Sequence, residues 1–114
     1  MKKVEAILQP FVLDDVRDAL IESGLQGMTI TEVRGVDPRP HAGWYRGTEY
    51  VTWFTPRIKI EMVVADEEVD ACIGAISRSG RVDDVDSGEI VVLPVDELIR
   101  IRTGERLMRV ARAA

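Results

Sequence analysis

Apolar and polar positions alternate over residues 3–9, with Val4, Ala6 and Leu8 set against Lys3, Glu5 and Ile7. This period of two is that of a strand with one buried face. Pro10 ends it. Asp14 and Asp15 stand where carboxylates favour a helix N-terminus, and Val16, Ala19 and Leu20 form an apolar stripe that Gly24 closes. Residues 28–35 are β-branched and alternating, which predicts a second strand. Residues 36–56 then lose periodicity and carry Pro38, Pro40 and Gly43, which predicts a long irregular loop of the kind that is usually functional. Ile58, Ile60 and Met62 alternate with Arg57, Lys59 and Glu61 in a third strand. Asp66 offers a helix cap, with Glu67 and Glu68 in the first turn, and Val69, Cys72, Ile73 and Ile76 follow at helical spacing. A polar loop over 78–88, an apolar strand over 90–95 and a further alternating strand over 98–102 complete the pattern.

The order β-α-β-loop-β-α-β predicts an α+β, ferredoxin-like βαββαβ sandwich, with an antiparallel sheet and both helices on one face. The opposite sheet face is left bare, with Ile7, Ile30 or Ile58 expected on it, and such a face predicts self-association. With 114 residues the chain fits one domain, and 46% hydrophobic and 31% charged residues are ordinary for a globular protein. The net charge of −5 gives no reason to expect nucleic acid as main partner. No apolar run approaches the roughly 18 residues of a membrane span, so membrane insertion is not expected. Glu5, Gln9 and Pro10 interrupt any leader after Met1, Lys2 and Lys3, so a cytoplasmic location is expected. Cys72 is the single cysteine and His41 the single histidine. They exclude an internal disulfide and argue against a Cys/His zinc site. No nucleophile–base pair is visible, so the chain does not read as an enzyme.

Several runs of residues carry a family resemblance. Residues 2–7 (Lys-Lys-Val-Glu-Ala-Ile), Pro10-Phe11, residues 13–17 (Leu-Asp-Asp-Val-Arg), Gly27-Met28-Thr29 and Thr31-Glu32-Val33 resemble the opening of the PII nitrogen-regulatory signal proteins. Residues 45–50 (Tyr-Arg-Gly-Thr-Glu-Tyr) resemble the end of that family's T-loop, and residues 99–105 (Ile-Arg-Ile-Arg-Thr-Gly-Glu) its C-terminal signature. The resemblance implies a PII-like domain over 1–105, with a T-loop at about 36–56 and a B-loop at about 79–89, followed by a tail at 106–114. It implies a homotrimer that senses a small effector in inter-subunit clefts and regulates a target protein, a transporter or an enzyme, through the T-loop.

Carried over residue by residue, the resemblance puts Gly27, Met28, Thr29, Glu61 and Val63 around the base and ribose of an adenine nucleotide (ATP, ADP or AMP). It puts Gly35, Arg57, Arg81, Gly88, Arg100 and Arg102 around the charged groups. Arg100 and Arg102, two apart on the expected strand, would share a face and form a fork for phosphates. Tyr50 matches a tyrosine modified in some members. Trp44, Tyr45, Tyr50 and Trp53 are candidate anchors for a partner protein.

The phosphate loop departs from the family. Asp83, Asp84, Asp86 and Glu89 bring four acids to where a triphosphate would rest. The T-loop base lacks the family's glutamine, which argues against Mg²⁺ and 2-oxoglutarate. These departures favour a nucleotide with fewer phosphates or another small anion such as bicarbonate. Two alternatives stand beside that reading: an interaction module that has lost nucleotide binding and holds its partner constitutively, and a metal-responsive relative with an acidic loop.

Overall fold

β1 (Lys2–Leu8) is the inner strand on which the sheet is built. It lies antiparallel between β3 (Thr48–Val64) and β4 (Gly88–Pro94), with Leu8 opposite both Ile58 and Gly88. β2 (Thr29–Tyr45) pairs with the outer side of β3, giving the order β2-β3-β1-β4. The computed structural model describes residues 1–45, 48–83 and 86–108, with side chains described at 1–36, 54–83 and 86–107. Two helices, α1 (Leu13–Glu22) and α2 (Val69–Gly80), pack against each other over one face of the sheet. The ferredoxin-like α+β arrangement is therefore the observed one.

The core follows from the alternation. Val4, Ala6 and Leu8 of β1 and Ile58, Ile60, Met62 and Val64 of β3 are buried beneath Val16 and Leu20 of α1 and Cys72, Ala75 and Ile76 of α2. Burial raises the pKa of the Cys72 thiol above its ordinary value, with a smaller push from the nearby Glu68 carboxylate, so Cys72 is a core residue rather than a nucleophile. α1 ends as its glycine predicts: Gly24 takes φ +102°, and the Ser23 and Gly24 amides return to carbonyls of the last turn.

Four details differ from the sequence reading. Residues 36–45 and 48–56 are not an irregular loop: they belong to β2 and β3, paired strands of 17 residues each. The pairing breaks only between Val36↔Phe54 and His41↔Thr52, and the break holds Pro38 and Pro40, which lack the N–H a ladder needs. The extra pairing comes from β-branched and aromatic residues on both arms, a signal that the prolines obscured.

The second difference concerns the start of α2. Asp66–Glu68 form a separate 3-10 turn, and α2 begins at Val69. The Asp66 carboxylate is drawn instead to the Met1 ammonium at 2.9 Å, while Glu68 accepts the Ala65 N–H at 3.1 Å.

Third, α2 runs on to Gly80 and takes in Ser79, whose hydroxyl donates to the Ala75 carbonyl at 2.6 Å. The polar loop is shorter than expected for that reason. Fourth, Ile30 and Ile58 are not on the bare face. The register puts Ile30 opposite buried Ile60, and Ile58 is itself in the core, so only Ile7 of the three faces away from the helices. Among the described residues, no helix is long and apolar enough to cross a membrane.

The bare face carries Lys3, Glu5 and Ile7 on β1, Lys59, Glu61 and Val63 on β3, and Glu89, Val91 and Leu93 on β4. Lys3 bridges Glu5 (2.9 Å) and Glu61 (2.8 Å), and Lys59 reaches Glu61 (3.2 Å) and, at 4.0 Å, Glu5. Glu5 and Glu61 are directly opposed in register, and the two lysines are what allow that like-charged pair to stand.

Candidate functional site

The predicted site residues separate into two groups, at opposite ends of the sheet. At one end, Gly27, Val63 and Arg100 line a single cleft of about 340 Å³ together with Leu25, Gln26, Glu68 and Leu98. Thr29 is opposite Glu61 on the neighbouring strands and exposed. Met28 is turned inward and packs against the core. Glu61 is held by Lys3 and Lys59, and its carboxyl is lowered below the ordinary carboxylate range by the Lys3 hydrogen bond first and the Lys59 hydrogen bond second. A carboxylate kept ionised beside a threonine hydroxyl and strand-end backbone groups offers the donors and acceptors that a heterocycle edge requires.

Arg100 and Arg102 do not share a strand face. β5 (Glu97–Ile99) stops before them, and they sit in the turn that leads to β6 (Arg106–Met108). Gly104 explains the turn. Its φ of +70° lets its N–H reach the Arg100 carbonyl at 2.8 Å, while the Arg100 N–H donates to the Glu105 carbonyl at 2.9 Å. Arg100 reaches the cleft and Arg102 stays exposed on the turn, beside a fully exposed Ile101. The expected tail therefore begins as a strand, and residues 109–114 lie outside the described residues.

At the other end stand Gly35, Arg57, Arg81 and Gly88. Gly35 is packed beside Thr55 and Arg57, close enough that a Cβ would touch Thr55 Oγ1 at 3.1 Å. Arg57 lines a groove with Pro10, Glu32, Val33, Arg34, Pro56 and Ile58. Arg81 and Gly88 line a second groove of about 310 Å³ with Gly80, Ser87 and Glu89. Val63 lies six residue steps along β3 from Arg57, roughly 20 Å at the rise of a strand. The two groups cannot close around one small molecule within a single chain.

The loop between α2 and β4 is tied to itself. Ser87 Oγ accepts the Val82 N–H at 2.8 Å and donates to the Val82 carbonyl at 3.0 Å. Asp86 Oδ1 accepts the Gly88 N–H at 3.0 Å, and the Gln9 side-chain amide donates to the Asp86 carbonyl at 2.8 Å. Gly88 has φ +101°, and a Cβ there would collide with the Ile7 carbonyl oxygen. Of the predicted loop acids, Asp83, Asp86 and Glu89 are exposed, and Asp84 lies outside the described residues. Among the described residues, no group of three or more His, Cys, Asp or Glu side chains is placed to hold a metal ion.

The side chains of Trp44, Tyr45, Tyr50 and Trp53 lie outside the described residues. Their backbones belong to β2 and β3, where Trp44 is opposite Glu49 and Tyr50 opposite Gly43. Sequence reasoning missed Leu25, Gln26 and Leu98 as cleft residues. Their only signal was adjacency to Gly27 and Arg100.

The chain is similar to known proteins over most of its length. The profile of the family "Nitrogen regulatory protein P-II" matches residues 1–105. The chain is 51% identical over 106 residues to Nitrogen regulatory protein P-II of Pasteurella multocida, covering 92% of this chain and 95% of that one. It is 50% identical over 106 residues, with the same coverage, to Nitrogen regulatory protein P-II 1 of Escherichia coli K12 and to Nitrogen regulatory protein P-II of Klebsiella oxytoca.

Proposed function

This chain belongs to the P-II nitrogen regulatory family, whose members are non-enzymatic signal transducers that regulate nitrogen metabolism by sensing effectors, and on that premise we propose that it senses an adenine nucleotide in clefts between the subunits of a homotrimer. The family is trimeric, and its effectors are adenine nucleotides and 2-oxoglutarate. The observation that carries the proposal is the separation of the candidate residues. Gly27, Val63 and Arg100 open on one cleft, while Arg57, Arg81 and Gly88 stand at the far end of the sheet. Halves of a site that no single chain can join become one site when neighbouring copies bring opposite ends together. The bare sheet face, with Ile7, Val63, Val91 and Leu93 exposed or partly so, is the surface on which copies of this chain would meet.

The two halves fit a nucleotide unequally. The end with Thr29, Glu61 and Val63 suits base and ribose. The loop end does not suit a magnesium triphosphate, because Gly88 and Val82 already spend their amide donors on Asp86 and Ser87, and Glu89 adds negative charge. ADP, AMP or another small anion such as bicarbonate is therefore the proposed effector, held by Arg57, Arg81, Arg100 and Arg102. Binding would shift the long β2–β3 hairpin between arrangements that engage or release a target transporter or enzyme in the cytoplasm. Trp44, Tyr45, Tyr50 and Trp53 are the proposed anchors on that hairpin, and Tyr50 is the proposed site of modification.

Calorimetric titration with ATP, ADP and AMP, each with and without Mg²⁺, 2-oxoglutarate or bicarbonate, tests the reading. Binding that weakens at least tenfold in Arg100→Ala or Arg102→Ala supports it. Silence across the panel would favour the second reading, an interaction module whose loop has closed on itself and whose partner is bound constitutively. The bonds between Val82 and Ser87 and between Asp86 and Gly88 are the observation behind that alternative.

A further inference from the structure

We infer that Asp86 acts as a built-in stand-in for a phosphate oxygen and thereby sets how many phosphates the cleft accepts. The inference rests on the nucleotide reading above and names the residue that decides specificity within it. Backbone N–H groups in a turn with a residue at positive φ are ready donors to an anion. Here Gly88 supplies that geometry with φ +101°, and no other residue fits, because a Cβ would meet the Ile7 carbonyl. Its N–H is not offered to the groove. It is already donated to Asp86 Oδ1 at 3.0 Å, a charge-assisted bond of the kind a phosphate oxygen would make.

Contacts from Gln9 and Ser87 hold Asp86 in that place. Gln9 clamps the Asp86 carbonyl to the end of β1 at 2.8 Å, and Ser87 closes the loop on Val82 through both its amide and its carbonyl. An incoming terminal phosphate must displace an acceptor of its own charge, so it gains little from the exchange. It must also approach Glu89, which has no ion-pair partner among the described residues and lines the same groove as Arg81. A nucleotide monophosphate makes no such demand, since its single phosphate need not reach Gly88. The discrimination therefore comes from an anion already in place, and the main-chain contact that Gln9 makes to residue 86 is available to any side chain there.

Calorimetric titration of the wild-type trimer, Asp86→Ala and Asp86→Asn with AMP and with ATP tests this. Asp86→Ala frees the Gly88 amide and removes the charge, and ATP affinity should rise about tenfold relative to AMP, the effect of one charge-assisted hydrogen bond. Asp86→Asn removes the charge but keeps an oxygen on the amide, and its gain should be clearly smaller. An unchanged ATP-to-AMP ratio in Asp86→Ala, with AMP binding intact, would overturn the assignment while sparing the nucleotide reading. Equal gains in the two variants would overturn the occupancy of the amide in favour of charge alone. Absence of AMP and ATP binding in all three proteins would overturn both readings together.

Discussion

At the Val63 end of the sheet, Gly27 has open space where a side chain would stand, and it lines a cleft with Val63, Leu98 and Arg100. At the Leu8 end, Gly88 has no such space, and its amide and that of Val82 are bonded to Asp86 and Ser87 of the same loop. Both ends carry glycines and charged residues at positions that a family resemblance marks for the same ligand. They differ in where their hydrogen bonds go. At the Leu8 end the Val82 and Gly88 amides are taken up within their own loop, and at the Val63 end the space beside Gly27 stays open. A glycine in a sequence can therefore mean room for a ligand or the absence of room for anything else.

Replacing Gly88 with alanine should break this comparison most severely. The new methyl group would meet the Ile7 carbonyl, and the backbone at φ +101° disfavours any L side chain, so a loss of about 3 kcal/mol is expected. Chemical denaturation measures it. A loss below about 1 kcal/mol would mean that the start of β4 can move away from β1. Ser87→Ala is expected to cost less, about 1 kcal/mol, because it leaves the Val82 amide and carbonyl without their shared partner in a partly exposed place. Hydrogen exchange at the Val82 amide should accelerate in that variant. Unchanged protection there would show that Ser87 does not close the loop.

The alternation of residues 3–9 and 57–64 and the two helical stripes were enough to place the sheet, both helices and the core, because each rests on a local period imposed by burial. Family motifs then named Gly27, Val63 and Arg100 before their meeting in one cleft could be seen. What stayed hidden depends on pairing at a distance. Pro38 and Pro40 made residues 36–56 look irregular, yet a strand tolerates prolines where its partner strand makes no demand on their amides. Arg100 and Arg102 alternated with isoleucines as a strand would. Gly104, four residues after Arg100, turns the chain there instead, and alternation over so short a run could not reveal it. Asp86 was legible as a charge, but its use as an acceptor for Gly88 was not, since an exposed carboxylate and a capping one are written with the same letter.

The charge lattice on the bare face gives a smaller effect with a definite sign. Glu61 has its pKa lowered, chiefly by the hydrogen bond from Lys3, so its contribution to folding is present above its unfolded pKa and fades as pH falls through the lowered value. Lys3 has its pKa raised, chiefly by Glu61 and then Glu5, so its contribution is present below its unfolded pKa and fades as pH rises through the raised value. Lys3→Met should move the Glu61 titration, followed by carboxyl NMR, upward toward its ordinary value. Lys59→Met should move it less. A reversed order would mean that Lys59, not Lys3, governs the carboxylate at this end of the sheet.

Gly27→Ala should do least to stability and is the most telling control. The backbone there is ordinary, nothing lies within 4 Å of the added carbon, and the change in folding free energy should stay within about 0.5 kcal/mol. The cleft it lines is only about 340 Å³, so a methyl group on its wall should still weaken nucleotide binding severalfold. Stability by denaturation and affinity by calorimetry would then separate: Gly88→Ala would cost stability, and Gly27→Ala affinity. If Gly27→Ala left AMP and ADP affinity untouched, the Val63 end would not be where the base sits, and the asymmetry between the two ends would be one of packing alone.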